Sequence, residues 1–226
     1  MNIILLIRSY DRGNYLINTI SSIIKSDINL CDKRYIYDDN SKDKIVKEIL
    51  EGKDLKLPNK EFDVVIGDKN LGCKYSFIEA LKHIKNENKD NKDYLVITID
   101  NDVIVQKDWI NKTLDMYDKI KNIFNTDNFL LTGFNPTNSH LNMIKDYGNF
   151  YQKETCGGIN LIFHSNMIDF IMEGWEKGDN DLGVIDKLKE KGFPLFCFKE
   201  SIINHIGKLG LFSGNLGYDV DKKFKP

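Results

Sequence analysis

The chain has 226 residues, 41% hydrophobic and 29% charged, with 32 Lys and Arg against 34 Asp and Glu for a formal charge of −2. That size admits one α/β core or two small ones, and a balanced charge without a dense basic run gives no footprint of a nucleic-acid binder. No apolar stretch approaches the roughly 20 residues that span a bilayer. Four scattered cysteines (Cys31, Cys73, Cys156, Cys197), with no CxxC pair, read as free thiols of a reducing compartment, so a soluble cytoplasmic protein is expected.

Strand and helix patterns alternate from the first residues. Ile3 to Ile7 is a near-continuous apolar run that predicts a strand buried on both faces. Leu16, Ile20, Ile23 and Ile24 then recur at helical spacing. Tyr35 to Tyr37 predicts a second strand, ending in Asp38-Asp39-Asn40-Ser41, with a polar helix near Lys44 to Leu50 behind it. Phe62 to Ile66 reads as the third strand, and Phe77, Leu81 and Ile84 as the next helix. The fourth strand, Tyr94 to Ile99, meets Asp100-Asn101-Asp102. Ile110, Leu114, Tyr117, Ile120 and Phe124 mark a helix that Asp108 is placed to cap. Phe129 to Thr132 follows as a strand.

After Gly133 the rhythm changes. Asn135 to Lys153 is polar and irregular, Gly157 to His164 extended, with short helices at Met167 to Met172 and Leu182 to Lys191. Leu195 to Phe198 reads as the last strand, and a glycine-studded tail runs from His205. Regular β-α-β alternation implies right-handed crossovers and a mainly parallel sheet. The prediction is one α/β domain, regular over residues 1–133 and loop-rich over 134–226.

Chemistry concentrates at strand ends, where open α/β sheets bind ligands. Side chains alternate along an extended segment, so Asp100 and Asp102 can point the same way. Two such carboxylates suit a hard divalent cation that keeps water and phosphate oxygens in its other positions, although Asp and Asn are also ordinary turn formers. Arg8-Ser9-Tyr10-Asp11-Arg12 could hold a base or ribose, or be a turn with a tyrosine packed beside it. Asp38 or Asp39 could accept from a nucleobase N–H or ribose hydroxyls; the alternative is helix capping through Asn40 and Asp43. Asn180-Asp181 opens a helix a few residues after Trp175, a setting for a general base toward a sugar stacked on the ring, or for an N-cap beside a core tryptophan. His205 could complete a metal shell or be a satisfied, partly buried residue.

Taken in order, these segments resemble nucleotide-diphospho-sugar glycosyltransferases of the GT-A fold, in particular the large, mostly inverting group. Ile4 to Leu16 is similar to that group's opening strand-turn-helix, Asp38-Asp39-Asn40-Ser41 to its base-binding acidic turn, and Asn70-Leu71-Gly72 to the step before its third helix. Asp100-Asn101-Asp102 resembles its DxD metal motif, and His205-Ile206-Gly207 its late metal- or diphosphate-reaching histidine.

The resemblance implies a Rossmann-like three-layer sandwich and a metal-dependent transfer of sugar, as in polysaccharide biosynthesis, from a nucleotide-sugar (a UDP-sugar) to a glycan or other hydroxyl acceptor. Arg8, Ser9, Tyr10, Asp38 and Asp39 would hold the nucleoside. Asn70, Gly72, Lys74, Asn101 and Lys208 would line the donor, and Gly157 and Gly158 would let the backbone approach its sugar. Asp100, Asp102 and His205 would ligate Mn²⁺ or Mg²⁺. Trp175 and Asp181 would meet the acceptor, with Asp181 as base of an inverting reaction and Asp179 as its rival. Two alternatives remain, a non-catalytic nucleotide-sugar or glycan binding module and a sugar nucleotidyltransferase. The second wants a glycine-rich basic loop after the first strand, where Arg8 to Asn14 offers one glycine.

Overall fold

The computed structural model describes residues 1–53, 61–178, 181–208 and 219–226. Its central strand, β1 (Asn2–Ser9), shows why the chain layers as it does. Ile3, Leu5 and Ile7 join one hydrophobic cluster and Ile4 and Leu6 another, so both faces must be covered by helices. The neighbouring strand β4 (Tyr94–Asp100) repeats the division, with Leu95, Ile97 and Ile99 in the first cluster and Tyr94 and Val96 in the second. Helices α1 (Gly13–Ile24), α2 (Lys44–Leu50) and α4 (Trp109–Phe124) bring apolar stripes to the first face. Helices α3 (Gly72–Glu87), α5 (Ile168–Lys177) and α6 (Asp181–Lys191) cover the second.

The other strands are β2 (Lys33–Asp38), β3 (Asp63–Ile66), β6 (Leu130–Thr132), β7 (Met143–Asp146), β8 (Phe150–Lys153), β9 (Asn160–His164) and β10 (Leu195–Phe198). They extend one sheet in the order β3-β2-β1-β4-β9-β6-β10-β8-β7. β3, β2, β1 and β4 run parallel, as do β6 and β10, whereas β9 lies antiparallel to both β4 and β6. A single sheet therefore spans both halves of the sequence. A separate ribbon pairs β5 (Val103–Val105) with β11 (Ile203–His205), setting His205 opposite Val103.

Three expectations are corrected. The irregular stretch from Asn135 to Lys153 holds the antiparallel pair β7–β8, and β10 is followed by β11. β7 is exposed at every position on the sheet edge, so it has no alternation of polar and apolar residues to reveal it. Asp108 makes no side-chain cap and pairs with Lys112 at 2.8 Å instead. The first turn of α4 donates from Ile110 and Asn111 to the Asp27 carboxylate, more than eighty residues earlier in the chain.

α1 and α2 meet at Gly13. A Cβ there would stand 2.5 Å from Ile45 Cβ and 3.1 Å from the Val46 nitrogen. Gly13→Ala is expected to destabilise the protein by about 1–3 kcal/mol through overpacking. Urea unfolding would register that as a lower midpoint at unchanged slope, and an unchanged midpoint would refute the tight contact.

Candidate functional site

The first two strand-end loops are sewn together before any ligand arrives. Asp11 and Arg12 both adopt left-handed backbone conformations, with φ of 48° and 63°. That turn lets Asp11 Oδ1 accept from the Lys42 and Asp43 nitrogens while the Ser41 hydroxyl receives the Asp11 N–H. Asp43 caps α2 through Ile45 N and also accepts from Gly13 N. The loops are thus fixed by side-chain acceptors that satisfy orphan backbone donors.

Asp38 and Asp39 face different tasks. Asp38 is buried, its carboxylate engaged by the Ser41 backbone and hydroxyl at 2.8 and 2.6 Å. Asp39 lines an open pocket and reaches the start of α3, accepting from Leu71 N and Gly72 N at 2.8 Å each. Gly72 has φ of +76°, which a side chain resists, and its N–H is shared with the Asn70 side-chain Oδ1 at 3.0 Å. Burial pushes the Asp39 carboxyl above its ordinary pKa, against the opposing pull of those N–H donors. A carboxylate has about four lone-pair sites, so Asp39 retains acceptor capacity toward the pocket.

The acidic triplet sits beside β1 because Arg8 and Asp100 are register partners of the parallel β1–β4 pair. Arg8 Nη2 bonds Asp100 Oδ1 at 2.5 Å and the Gly158 carbonyl at 2.6 Å. Its guanidinium carbon lies 4.5 Å from the Phe77 ring centroid and 5.3 Å from that of Trp175. Burial disfavours the Arg8 charge, but Asp100, Cys73 and Asp181 together offset it and leave the pKa above its ordinary value. Arg8 is thus a buried tie between β4 and the backbone at Gly158. Asn101 donates to the Asp11 carbonyl at 2.9 Å and so holds the β1 turn.

Asp102 is 3% exposed and contacts both Arg12 and His205. His205 Nε2 stands 3.0 Å from Asp102 Oδ2, while its Nδ1 lies 3.0 Å from the Asp219 backbone carbonyl. Gly207 presses on the same place, since a Cβ there would come within 2.0 Å of Asp102 Oδ2. One pocket of about 280 Å³ brings together Arg8, Ser9, Tyr10, Asp39, Asp100, Asn101, Asp102 and His205 of the expected set. It adds Arg12, Cys73, Ser76, Phe77 and Ile159. Arg12 was legible as a basic residue in the turn after β1; Ser76 and Phe77 read only as one face of an amphipathic helix.

The remaining expected residues lie elsewhere. Lys74 reaches the Gly178 carbonyl at 3.1 Å, and Lys208 is exposed, its backbone N–H donating to the Tyr15 hydroxyl. Trp175 is a core residue, 1% exposed and edge-on to Phe77 at 4.6 Å, with no open face for a sugar. Gly157 has ordinary room for a Cβ, 3.6 Å from His140 Nε2. At Gly158 a Cβ would meet Trp175 at 3.1 Å and Asp181 Cβ at 3.2 Å. Asp181 begins α6 and accepts from the Gly158 N–H; burial raises its pKa, with His140 and that hydrogen bond pulling the other way. Asp179 and Asn180 fall outside the described residues.

A divalent cation is implied by the resemblance, and the donor atoms fit one in part. When the Asp219 carbonyl takes the proton on Nδ1, His205 presents an unprotonated Nε2 directly to a carboxylate oxygen. That contact is closed by a proton when the imidazole is charged; when it is neutral, two lone pairs 3.0 Å apart leave a place for a cation beside Arg12, which bonds the same oxygen. Asp102 and His205 therefore suit a metal that draws its other ligands from water and phosphate. Asp100 is turned to Arg8, and no group of three or more His, Cys, Asp or Glu side chains is assembled among the described residues.

Comparison with known proteins follows the same lines. The family model for glycosyl transferase family 2 matches residues 5–170. A search of curated protein sequences finds no match. Among solved structures, GalNAc-T7 with UDP, GalNAc and Mn²⁺ superposes with a TM-score of 0.65 at 14% identity, covering 91% of this chain and 44% of that one. Two structures of S. aureus TarS align at 16% identity over 90% of this chain. The first has a TM-score of 0.59 and covers 36% of its own chain; the second, of residues 1–349, has 0.58 and covers 60%. The chain thus spans less than two thirds of each, and at these identities the likeness is one of fold, the GT-A architecture.

Proposed function

Because the chain belongs to glycosyl transferase family 2, we propose that it moves a sugar from a nucleotide-diphospho-sugar, a UDP-sugar, to a hydroxyl of a glycan or other acceptor. One observation carries this reading: Asp39 and the Asp102–His205 pair open into a single pocket beyond the carboxyl ends of β1, β2 and β4. An acceptor-rich carboxylate at one side and a cation-seeking pair at the other suit the two ends of a nucleoside diphosphate.

In this scheme Asp39 accepts from the base, and Ser9 and Tyr10 flank the nucleoside. Asp102 and His205 would hold Mn²⁺ or Mg²⁺; when bound, the metal neutralises charge that develops on the departing nucleoside diphosphate. Arg12, against the same carboxylate, is placed to add positive charge toward the diphosphate. Arg8 acts from behind, holding Asp100 and the Gly158 carbonyl so that β4 and the acceptor side keep one spacing. Asp181 takes the proton from the acceptor hydroxyl as it attacks, in a single displacement that inverts the anomeric centre. Residues 1–133 serve the donor and 134–226 the acceptor.

The first test is thermal stability with UDP and Mn²⁺ added singly and together. A nucleotide that binds only the folded protein contributes about 2.7 kcal/mol at 100 times its Kd, enough to raise Tm by several degrees. Stabilisation by UDP that requires Mn²⁺, with release of free UDP from a UDP-sugar, is the expected result. Stabilisation that ignores the metal, or that another nucleotide gives in place of UDP, would remove the metal-held UDP donor.

A further inference from the structure

A second concavity, of about 1120 Å³ against the 280 Å³ of the donor pocket, lies on the acceptor-side half of the molecule. It is lined by the sheet edge and by residues 221–225. Five lysines line it, Lys153, Lys199, Lys222, Lys223 and Lys225, against two acids, Glu200 and Asp221. That excess stands out on a chain whose formal charge is −2. It is also uneven in kind. Lys153 is 4% exposed and held by the Asn135 side chain at 2.8 Å, and Lys199 pairs with Asp146 while lying over the Tyr151 ring. Lys222, Lys223 and Lys225 are exposed along one rim.

The groove is not purely electrostatic. Tyr151 and Phe224 lie within it, and Leu141 and Met143 are 64% and 50% exposed at its lip. Rings and apolar side chains among lysines suit a chain of sugar rings bearing negative groups, which offers apolar faces and anionic substituents in alternation. A lipid surface would ask for a convex or flat patch, whereas this one is concave.

The groove also joins the donor pocket through a short stretch of backbone. The Asp219 carbonyl meets His205, Val220 bonds Thr137 and Asn138, and the Asp221 N–H donates to Asn204. The Lys225 carbonyl then accepts from Gln106. Residues 219–225 therefore run from the proposed cation ligand to the lysine rim.

We propose that this groove binds an anionic glycan, a sugar polymer carrying carboxylate or phosphate groups, and that it is the extended acceptor site. The second clause rests on the transferase reading; the first does not. Two probes separate the sources of charge, a polyuronate and a phosphodiester-linked glycan, with dextran as neutral control. Single-stranded nucleic acid and anionic phosphatidylglycerol vesicles complete the panel. Binding is measured without donor, at low and high salt, for the wild type and for the variant carrying Lys222→Glu, Lys223→Glu and Lys225→Glu. These side chains are exposed and make no structural bond described above.

One of the two anionic glycans is expected to bind, with affinity falling about tenfold in the triple variant and falling with salt. The variant should keep the wild-type response to UDP and Mn²⁺, which shows that it is folded. Equal binding of dextran, tighter binding of nucleic acid or vesicles, or unchanged affinity in the triple variant would each overturn the proposal. Loss of glycan binding with an intact UDP response in the variant supports the groove. Absence of the UDP response in the wild type counts against the transferase reading alone.

Discussion

Replacing Asp102 with asparagine is expected to lower kcat about 10²–10³-fold at saturating metal and donor, the scale on which removing one well-placed electrostatic contact acts. Asparagine keeps the shape of the side chain and an acceptor oxygen for Arg12, so the fold should survive while the charge disappears. The loss should appear twice. Turnover falls, and the Mn²⁺-dependent part of the UDP-induced rise in Tm shrinks, because the carboxylate opposite His205 Nε2 is gone. Asp102→Ala is the coarser variant, since it also leaves the half-buried Arg12 without its carboxylate. Wild-type turnover together with wild-type metal dependence in the asparagine variant would end the claim that Asp102 serves the cation.

Asp181→Asn should lose about 10²–10⁴ in kcat, the usual worth of a general base, while its affinity for UDP with Mn²⁺ changes little. Its pH dependence is more discriminating. Burial raises the Asp181 pKa, so the carboxyl stays protonated to a higher pH than an exposed acid would. A base must be ionised, so the wild-type rate should fall as pH drops through that raised value, and this limb should vanish in the asparagine variant. Stability has the opposite sign. A folded-state pKa above the unfolded one means that the ionised form is penalised at neutral pH and that the penalty fades as pH falls through the folded pKa. The variant should therefore be at least as stable as wild type at neutral pH, with the difference closing toward acid. A variant that unfolds more easily at neutral pH, with kcat intact, would make Asp181 a structural residue.

Much of the first half of the sheet could be read from sequence because its strands are buried on both faces. Ile3 to Ile7 and Tyr94 to Ile99 carry unbroken apolar runs, and each ends abruptly in charge, which marks both the strand and its ligand-facing end. The salt bridge between Arg8 and Asp100 carried no such mark, because β-α alternation does not say that the fourth strand returns to the open side of the first. Other features had no local signature. β7 is an edge strand with no buried face, and β5 and β11 are three residues each. The acid that caps α4 is Asp27 rather than the adjacent Asp108, a choice made by the packing of α4 beside the end of α1 on one face of the sheet. Trp175 read as a sugar platform because an aromatic near an acid looks the same in sequence whether its ring is covered or open. Only the placement of Phe77 and Arg8 over it decides the matter.

The β5–β11 ribbon has a consequence for how the protein comes into being. Asp102 and His205 are 103 residues apart in the chain, yet they form one pair. Chains are synthesised at about 5–20 residues per second, so roughly 5–20 s separate the appearance of the two. β1, β2, β3 and β4 can associate in that interval, since all are made by residue 100. The acidic triplet must then wait, its carboxylates answered only by Arg8 and Arg12, until the distant histidine arrives. Closing so long a loop is entropically costly, so the pair should be among the last parts of the molecule to set. A nascent chain halted before residue 205 would display Asp39 at one end of the pocket while lacking the imidazole that faces Asp102 at the other.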